Sequence, residues 1–278
     1  MATIADHADT LRLTAAKPNP GSLFARLGTR LFAARSTLFS FGIGIAVWEI
    51  AGRVWNISFL PPFSNVIGAA VGLIASGQIL GNLATSLLGL LVGYALAAVG
   101  GVGLGVLMGR YRKIEHLFDL YINAFLAAPK IAFIPVLFAF FGVSRSVQVA
   151  VVFMSAFFII VINTMSAIRS VDSTYIEMAR SFGAREHQLL WRVLIPGAVP
   201  LTMAGLRLGM GRAVKGMING EMFIAVFGLG GLLRTYGSRF DAEKVFAILL
   251  VVIAVALACS ALVEAVEKRL TYWMELHA

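Results

Sequence analysis

The chain has 278 residues, 59% hydrophobic and only 13% charged, with a mean hydropathy of +0.86. That is half the charge of a soluble domain, about 25%, so the composition excludes a soluble globular protein and points to the bilayer. The net charge of +9 does not mark a nucleic-acid binder, because the basic residues are scattered at the ends of apolar segments rather than gathered on one face. The single Cys259 lies inside an apolar run, which excludes a disulfide framework and a thiolate metal cluster. At roughly 20 apolar residues per spanning helix, the length allows five or six spans in one integral membrane domain.

Residues 1–36 open with MATIADHADT, which lacks the basic start and immediate apolar run of a signal peptide. Pro18, Asn19, Pro20 and Gly21 break the chain, and 22–36 set Leu23, Phe24, Leu27, Leu31 and Phe32 against Arg26, Arg30 and Arg35. That pattern predicts an interfacial amphipathic helix in an N-terminal tail. A first span is expected over 37–52, with Glu49 and Arg53 four apart at its end, a spacing suited to a local ion pair. The stretch 56–82 is less apolar. Its LPPFSNV reads as a stop and cap, and VIGAAVGLIASG as a surface or re-entrant helix too short to span.

The second span, 83–108, carries small residues every fourth position: Gly89, Gly93, Ala97, Gly101, Gly105 and Gly109. Such a ladder lets another helix backbone approach closely. Arg110, Arg112 and Lys113 end it. The third span, 120–141, contains Pro129, Lys130 and Pro135 and is expected to be broken near mid-depth, because proline removes backbone bonds. GVSRS turns into a fourth span over 147–168. A hydrophilic segment, 169–200, follows, with Glu177, Arg180, Arg185, Glu186, His187 and Arg192. It cannot sit in lipid, and its length suits a helix, a turn at Gly183 and a second helix. A loop of this size between two spans is usually functional.

The fifth span, 201–227, mixes Arg207, Arg212, Lys215, Asn219 and Glu221 with Gly205, Gly209, Gly211, Gly216 and Gly220, so other helices must shield it from lipid. Residues 228–244 read as a Gly-rich and then charged loop, and 245–266 as a sixth span. Lys and Arg concentrate in the tail, at Arg110–Lys113, in 169–192 and at Lys268 and Arg269; the alternate segments hold only Arg53, Arg145, Arg234, Arg239 and Lys244. The positive-inside rule then puts both termini and the hydrophilic loop in the cytoplasm.

No G-x4-G-K-[ST] phosphate loop occurs, and none of His7, His116, His187 and His277 has a ligand partner at helical spacing, so neither ATP hydrolysis nor a metal site is expected of this chain. The charges within spans admit two readings. Lys130 and Lys215 line a pathway suited to an anion, or one of them pairs internally with Glu221.

The hydrophilic loop carries a family resemblance. Glu177-Met178-Ala179, three residues, Gly183, nine residues and Val193-Leu194-Ile195-Pro196 resemble the E-A-A-x3-G-x9-I-x-L-P motif of membrane permeases of bacterial ABC importers. The spacing is intact, and Met178, Val193 and Ile195 are mild apolar departures. LPPFSNV, APKIAFIPVLFAFFG with Pro129, Pro135 and Gly142, and GLRLGMGRA are similar to the nitrate/sulfonate/taurine-type members; residues 1–36 are not covered. The resemblance implies an all-α polytopic membrane protein with the type I ABC importer permease fold and about six transmembrane helices, in which 37–278 form the permease domain. It implies a multi-pass subunit of the bacterial inner membrane without an ATPase site of its own, paired with a second permease copy. Two cytoplasmic ATPase subunits carrying ATP and Mg would dock on the loop at Glu177, Met178, Ala179, Gly183, Ile195 and Pro196, and an extracytoplasmic binding protein would deliver the solute. In that frame a helix from Ser173 to Phe182, N-capped by Ser173 or Thr174, acts as a lever, and Glu177 bonds either the ATPase or its own loop. The rival is an ion-coupled secondary transporter, which also uses broken helices and buried charges but gives no reason for the loop.

Overall fold

The computed structural model describes residues 39–55, 59–224 and 226–271. The amphipathic stretch 22–36, the start of the first expected span and the last residues, 272–278, lie outside them. The chain divides into two units, Met1–Ser64 and Asn65–Ala278.

In the first unit, helix α1 covers residues 39–55. Glu49 pairs with Arg53 (2.6 Å), as the spacing predicts, and also accepts from the Ser64 N–H (2.9 Å). It thereby caps the start of α2, Phe63–Ala75. At 13 residues and ~1.5 Å rise each, α2 is about 20 Å long and too short to span. Trp48 donates from Nε1 to Pro61 O (3.1 Å) and meets the Phe63 ring edge-on.

The second unit continues with α3, Gln78–Arg110, and α4, Arg112–Ala127. A 3-10 turn, Lys130–Phe133, leads into α5, Ile134–Phe141. Then come α6, Arg145–Arg169, and the loop helices α7, Ser173–Ser181, and α8, Glu186–Leu189. A π-turn, Leu190–Leu194, joins α8 to α9, Ile195–Ile224. The described chain ends with α10, Gly228–Ser238, and α11, Ala242–Leu270. Among the described residues, α3, α6, α11 and the run Glu186–Ile224 are each long and apolar enough to cross a bilayer. The pair α4 and Lys130–Phe141, bent by 98°, makes a fifth crossing if taken as one broken span.

Two differences from the sequence reading have physical causes. The fifth span does not begin afresh near residue 201: it continues the loop's second helix as one 39-residue run. Pro196 withholds the N–H that the preceding turn would use, and the wider π-turn before it takes up the change, with Ile195 N–H bonding Leu190 O. Residues 228–238 are a helix rather than a loop, because the side chains of other helices satisfy its first N–H groups, as described below.

Helix α6 is the centre of the second unit. A Cβ on Gly93, Gly101, Gly105 or Gly109 would lie 2.6–2.9 Å from Val152, Ile160, Thr164 or Ile168, so each α3 glycine faces an α6 side chain at backbone distance. On the opposite flank, a Cβ on Gly205, Gly209 or Gly216 of α9 would meet Asn163, Ile160 or Ser155 at 2.4–2.7 Å. Ile160, fully buried, touches both neighbours. In lipid, where tails are as apolar as side chains, such close van der Waals approach is what holds helices together.

Gly105→Val should therefore lower the thermal midpoint of the detergent-solubilised protein by several degrees, an overpacking cost of about 1–3 kcal/mol. Gly103→Val, two residues away with nothing within 4 Å of its Cβ position, should leave it unchanged. Equal midpoints for both variants would refute the close-packing account.

Candidate functional site

The hydrophilic loop builds its helix from both ends. Asp172, not Ser173 or Thr174, is the N-cap of α7: its Oδ1 accepts from the Thr174 N–H at 2.8 Å. Asp leads the N-cap preferences with Ser, and here Asp172 holds the extended backbone that a cap requires, placing Ser173 and Thr174 in the first turn. The same backbone N–H keeps the Asp172 carboxyl below the ordinary aspartate range. At the other end Gly183 adopts φ +77°. Its N–H bonds Arg180 O (2.8 Å), and Ala184 N–H reaches Ala179 O (3.0 Å), the paired closure of a Schellman motif. Nothing stands within 4 Å of a Cβ at Gly183, so the backbone conformation, not space, calls for glycine there. The chain then turns into α8, where Gln188 Oε1 accepts from Arg185 N–H (2.8 Å).

Between α7 and the base of α9 lies an open groove of about 720 Å³, walled by Tyr175, Met178, Ala179, Phe182, Val193, Pro196 and Gly197. Phe182 is 86% exposed at its edge. Glu177 stands exposed, and its carboxylate has no partner among the described residues. Ion pairs fasten the loop and the ends of the spans: Arg110 to Glu186, Arg180 to Glu186 (3.3 Å), and Arg169 to Glu115 through Nη1 and Oε1 (2.6 Å). Arg207 pairs with Glu267 of α11.

A second feature lies along the same continuous run. The break after α4 sets Ala128 and Pro129 in extended backbone, and Lys130 Nζ donates to the freed Leu126 carbonyl (3.1 Å), a cation at a helix C-terminus. Lys130, Arg212, Lys215, Ser155 and Asn219 line one cavity of about 280 Å³. No acidic side chain lines it, and neither Arg212 nor Lys215 has an acidic partner among the described residues. The structure thus brings Lys130 and Lys215 together and adds Arg212 and Asn219, each one helical turn from Lys215 on α9; periodicity within an already polar span gave no separate signal for them.

Glu221 lies elsewhere and pairs with neither lysine. It is fully buried, and its Oε1 accepts from Gln148 Nε2 (2.7 Å) while Oε2 accepts from the Gly230 N–H (2.8 Å). Among the described residues, no group of three or more His, Cys, Asp or Glu stands close enough to hold a metal ion.

The chain is similar to known proteins over most of its length. Residues 101–272 match the family described as binding-protein-dependent transport system inner membrane component. The chain is 30% identical to a protein of Brucella abortus named "Probable ABC transporter permease protein", over 90% of this chain and 99% of that one. It is 30% identical to the formylaminopyrimidine transport permease ThiX of Halalkalibacterium halodurans, over 87% of this chain and 96% of that one. It is 26% identical to the taurine transport system permease TauC of Escherichia coli, over 89% and 94%. Among solved structures, an inward-facing form of the MetNI methionine ABC transporter superposes with TM-score 0.60 at 18% identity, covering 70% of this chain and 96% of that chain, which shows the shared type I importer permease fold.

The cap geometry carries a pH dependence of known sign. Because the Asp172 carboxyl is depressed in the folded loop, its contribution is fully present above the ordinary aspartate range and is lost as pH falls below it. Amide hydrogen exchange at residues 174–176 should accelerate, relative to its intrinsic rate, on acidification in the unmodified chain. It should be fast at all pH in Asp172→Ala and lose its pH dependence in Asp172→Asn, whose amide oxygen still caps. A pH-independent wild type would count against the cap.

Proposed function

The chain belongs to the family of binding-protein-dependent transport system inner membrane components and is a permease of an ABC importer in the inner membrane; from that premise we propose that it carries a small organic anion inward by alternating access. The observation that carries the anion reading is the cavity at Lys130, Arg212 and Lys215, three cations without an acidic neighbour in its wall. Such a cluster within a membrane is costly unless a negative charge visits it. Taurine, the solute in one relative's name, bears a sulfonate, and a guanidinium beside two ammonium groups suits that head group.

The energy source enters at the loop. A cytoplasmic ATPase subunit grips α7, with Glu177, Met178, Ala179 and Gly183 at the contact and Ile195 and Pro196 behind it. Exposed Tyr175, Met178 and Phe182 offer it an apolar seat, and the Glu177 carboxylate, unpartnered in its own loop, is available to ATPase donors. The run Glu186–Ile224 is continuous from the loop to the cavity, so a push on the loop displaces Arg212 and Lys215 directly. Two ATPase subunits holding ATP and Mg, a second copy of this permease and an extracytoplasmic binding protein complete the complex. Both chain termini and the loop face the cytoplasm in this reading.

The formylaminopyrimidine named for another relative motivates a second reading, in which the cargo is a neutral heterocycle and the cations serve packing. Reconstituted with its ATPase and binding protein, the permease should import an anion from a panel of sulfonates, nitrate and aromatic acids when ATP is supplied. Uptake driven by an ion gradient without ATP would support a secondary transporter instead. Lys130→Met, Arg212→Met or Lys215→Met should each lower anion uptake about tenfold or more, the cost of a lost charged hydrogen bond, at unchanged abundance in the membrane. Uptake unaffected in all three refutes the anion cavity. Glu177→Lys and Gly183→Leu should abolish ATP-driven uptake while leaving the permease folded; the leucine adds backbone strain of about 1–3 kcal/mol at φ > 0.

A further inference from the structure

Helix α9 ends at Ile224, and α10 starts anew at Gly228. A break of this kind frees carbonyls on one side and N–H groups on the other, and inside a membrane these must be satisfied by protein. Here each helix supplies the other. Glu221, on the last turn of α9, takes the Gly230 N–H of α10 at 2.8 Å. Arg234, on α10, returns two donors to the last carbonyls of α9, at Met222 O (3.1 Å) and Phe223 O (3.3 Å). Ser86 of α3 takes the Leu229 N–H (2.9 Å). Gln148 of α6 bonds both Glu221 (2.7 Å) and Ser86 O (3.3 Å).

The fit around the carboxylate is close. A Cβ at Gly228 would lie 2.3 Å from the Glu221 carboxyl carbon, and one at Gly230 would lie 2.6 Å from Glu221 Cβ. Every neighbour that bonds the carboxylate is a donor, and the N-terminus of α10 adds its dipole; the acid is held without a cation. Glycines already fix α9 against α6 as far as Gly216, so Glu221 is not needed to set the rotation of α9. Its bonds, with those of Arg234, join the end of α9, remote from the loop, to α10.

We propose that Glu221 is a positioning residue of the transport pathway: with Arg234 it forms a reciprocal interlock that holds α10 against the end of α9 and keeps water out of that end. The proposal rests on reading α9 as the pathway helix, but its test needs neither a solute nor ATP, so it stands or falls separately from the importer reading. In the assembled complex in native membrane vesicles, Cys259→Ala removes the only cysteine, and single cysteines are placed at Ile224 (4% exposed), Ile160 (0%) and Val226 (73%). A membrane-impermeant thiol reagent should label Val226→Cys and spare the other two.

Adding Glu221→Gln, which keeps the shape but leaves one acceptor oxygen for the two donors, the Gly230 N–H and Gln148 Nε2, should raise labelling at Ile224→Cys about tenfold, the weight of one buried hydrogen bond, with Ile160→Cys still protected. Continued protection of Ile224→Cys overturns the interlock. A parallel rise at Ile160→Cys overturns it too, since the residue would then serve folding in general. Arg234→Met alters the exposed half of the same interlock and decides the matter if Glu221→Gln fails to assemble: it must also expose Ile224→Cys, and protection there refutes the proposal.

Discussion

The structure depends on how closely two helices approach α6. Lipid supplies no hydrophobic force between apolar helices, so the contact must come from dispersion at short range. The glycines of α3 on one flank and of α9 on the other bring their backbones onto α6 side chains, and Ile160 is gripped by Gly101 and Gly209 at once. This three-helix stack sets where everything else lies. Ser155, whose Oγ would stand 2.4 Å from a Cβ on Gly216, also lines the cationic cavity, so the seam that packs the helices is continuous with the wall of the site. The same constraint leaves α9 free to carry charge, because its apolar glycine edge is buried and its Arg212, Lys215 and Asn219 edge is turned to the cavity.

A second rule runs through both units: where the helical ladder is interrupted, a side chain from elsewhere completes it. Glu49 takes the Ser64 N–H at the start of α2, and Glu221 takes the Gly230 N–H at the start of α10. Lys130 gives a donor to Leu126 O where α4 stops, and Arg234 does so where α9 stops. Acids stand at helix starts and bases at helix ends, as the dipole favours. In water these groups could be solvated. In a bilayer they must be paired, which is why charged residues recur within an otherwise apolar chain.

The loop and the cavity are linked by covalent continuity rather than by a chain of contacts. The 39-residue run from Glu186 to Ile224 spans the distance from the loop to Glu221. Its irregularities lie near the loop, at the π-turn before Pro196 and at Pro200, which withholds one more N–H inside α9. A rigid rod with its irregularities near one end can transmit displacement without needing a network of side-chain rearrangements.

Much of this was legible in the residues alone, and the reasons are local. The membrane class follows from composition, the break at Pro129 from the missing N–H, the helix–turn–helix of the loop from its run of charged residues and Gly183, and the α3 ladder from a strict four-residue period. Each is a property of neighbours in the chain. The glycine-rich run at 228–238 was not legible as a helix, because glycine disfavours helix locally and the stabilising donors and acceptors belong to Ser86, Glu221 and the bundle around them, 9 to 143 residues away. Nor could the chain order decide the partner of Glu221. Opposite charge made a lysine the obvious choice, yet only the folded arrangement, with the dipole of α10 and the Gln148 amide at hand, shows that the carboxylate needs no cation and leaves Lys130, Arg212 and Lys215 to the cavity.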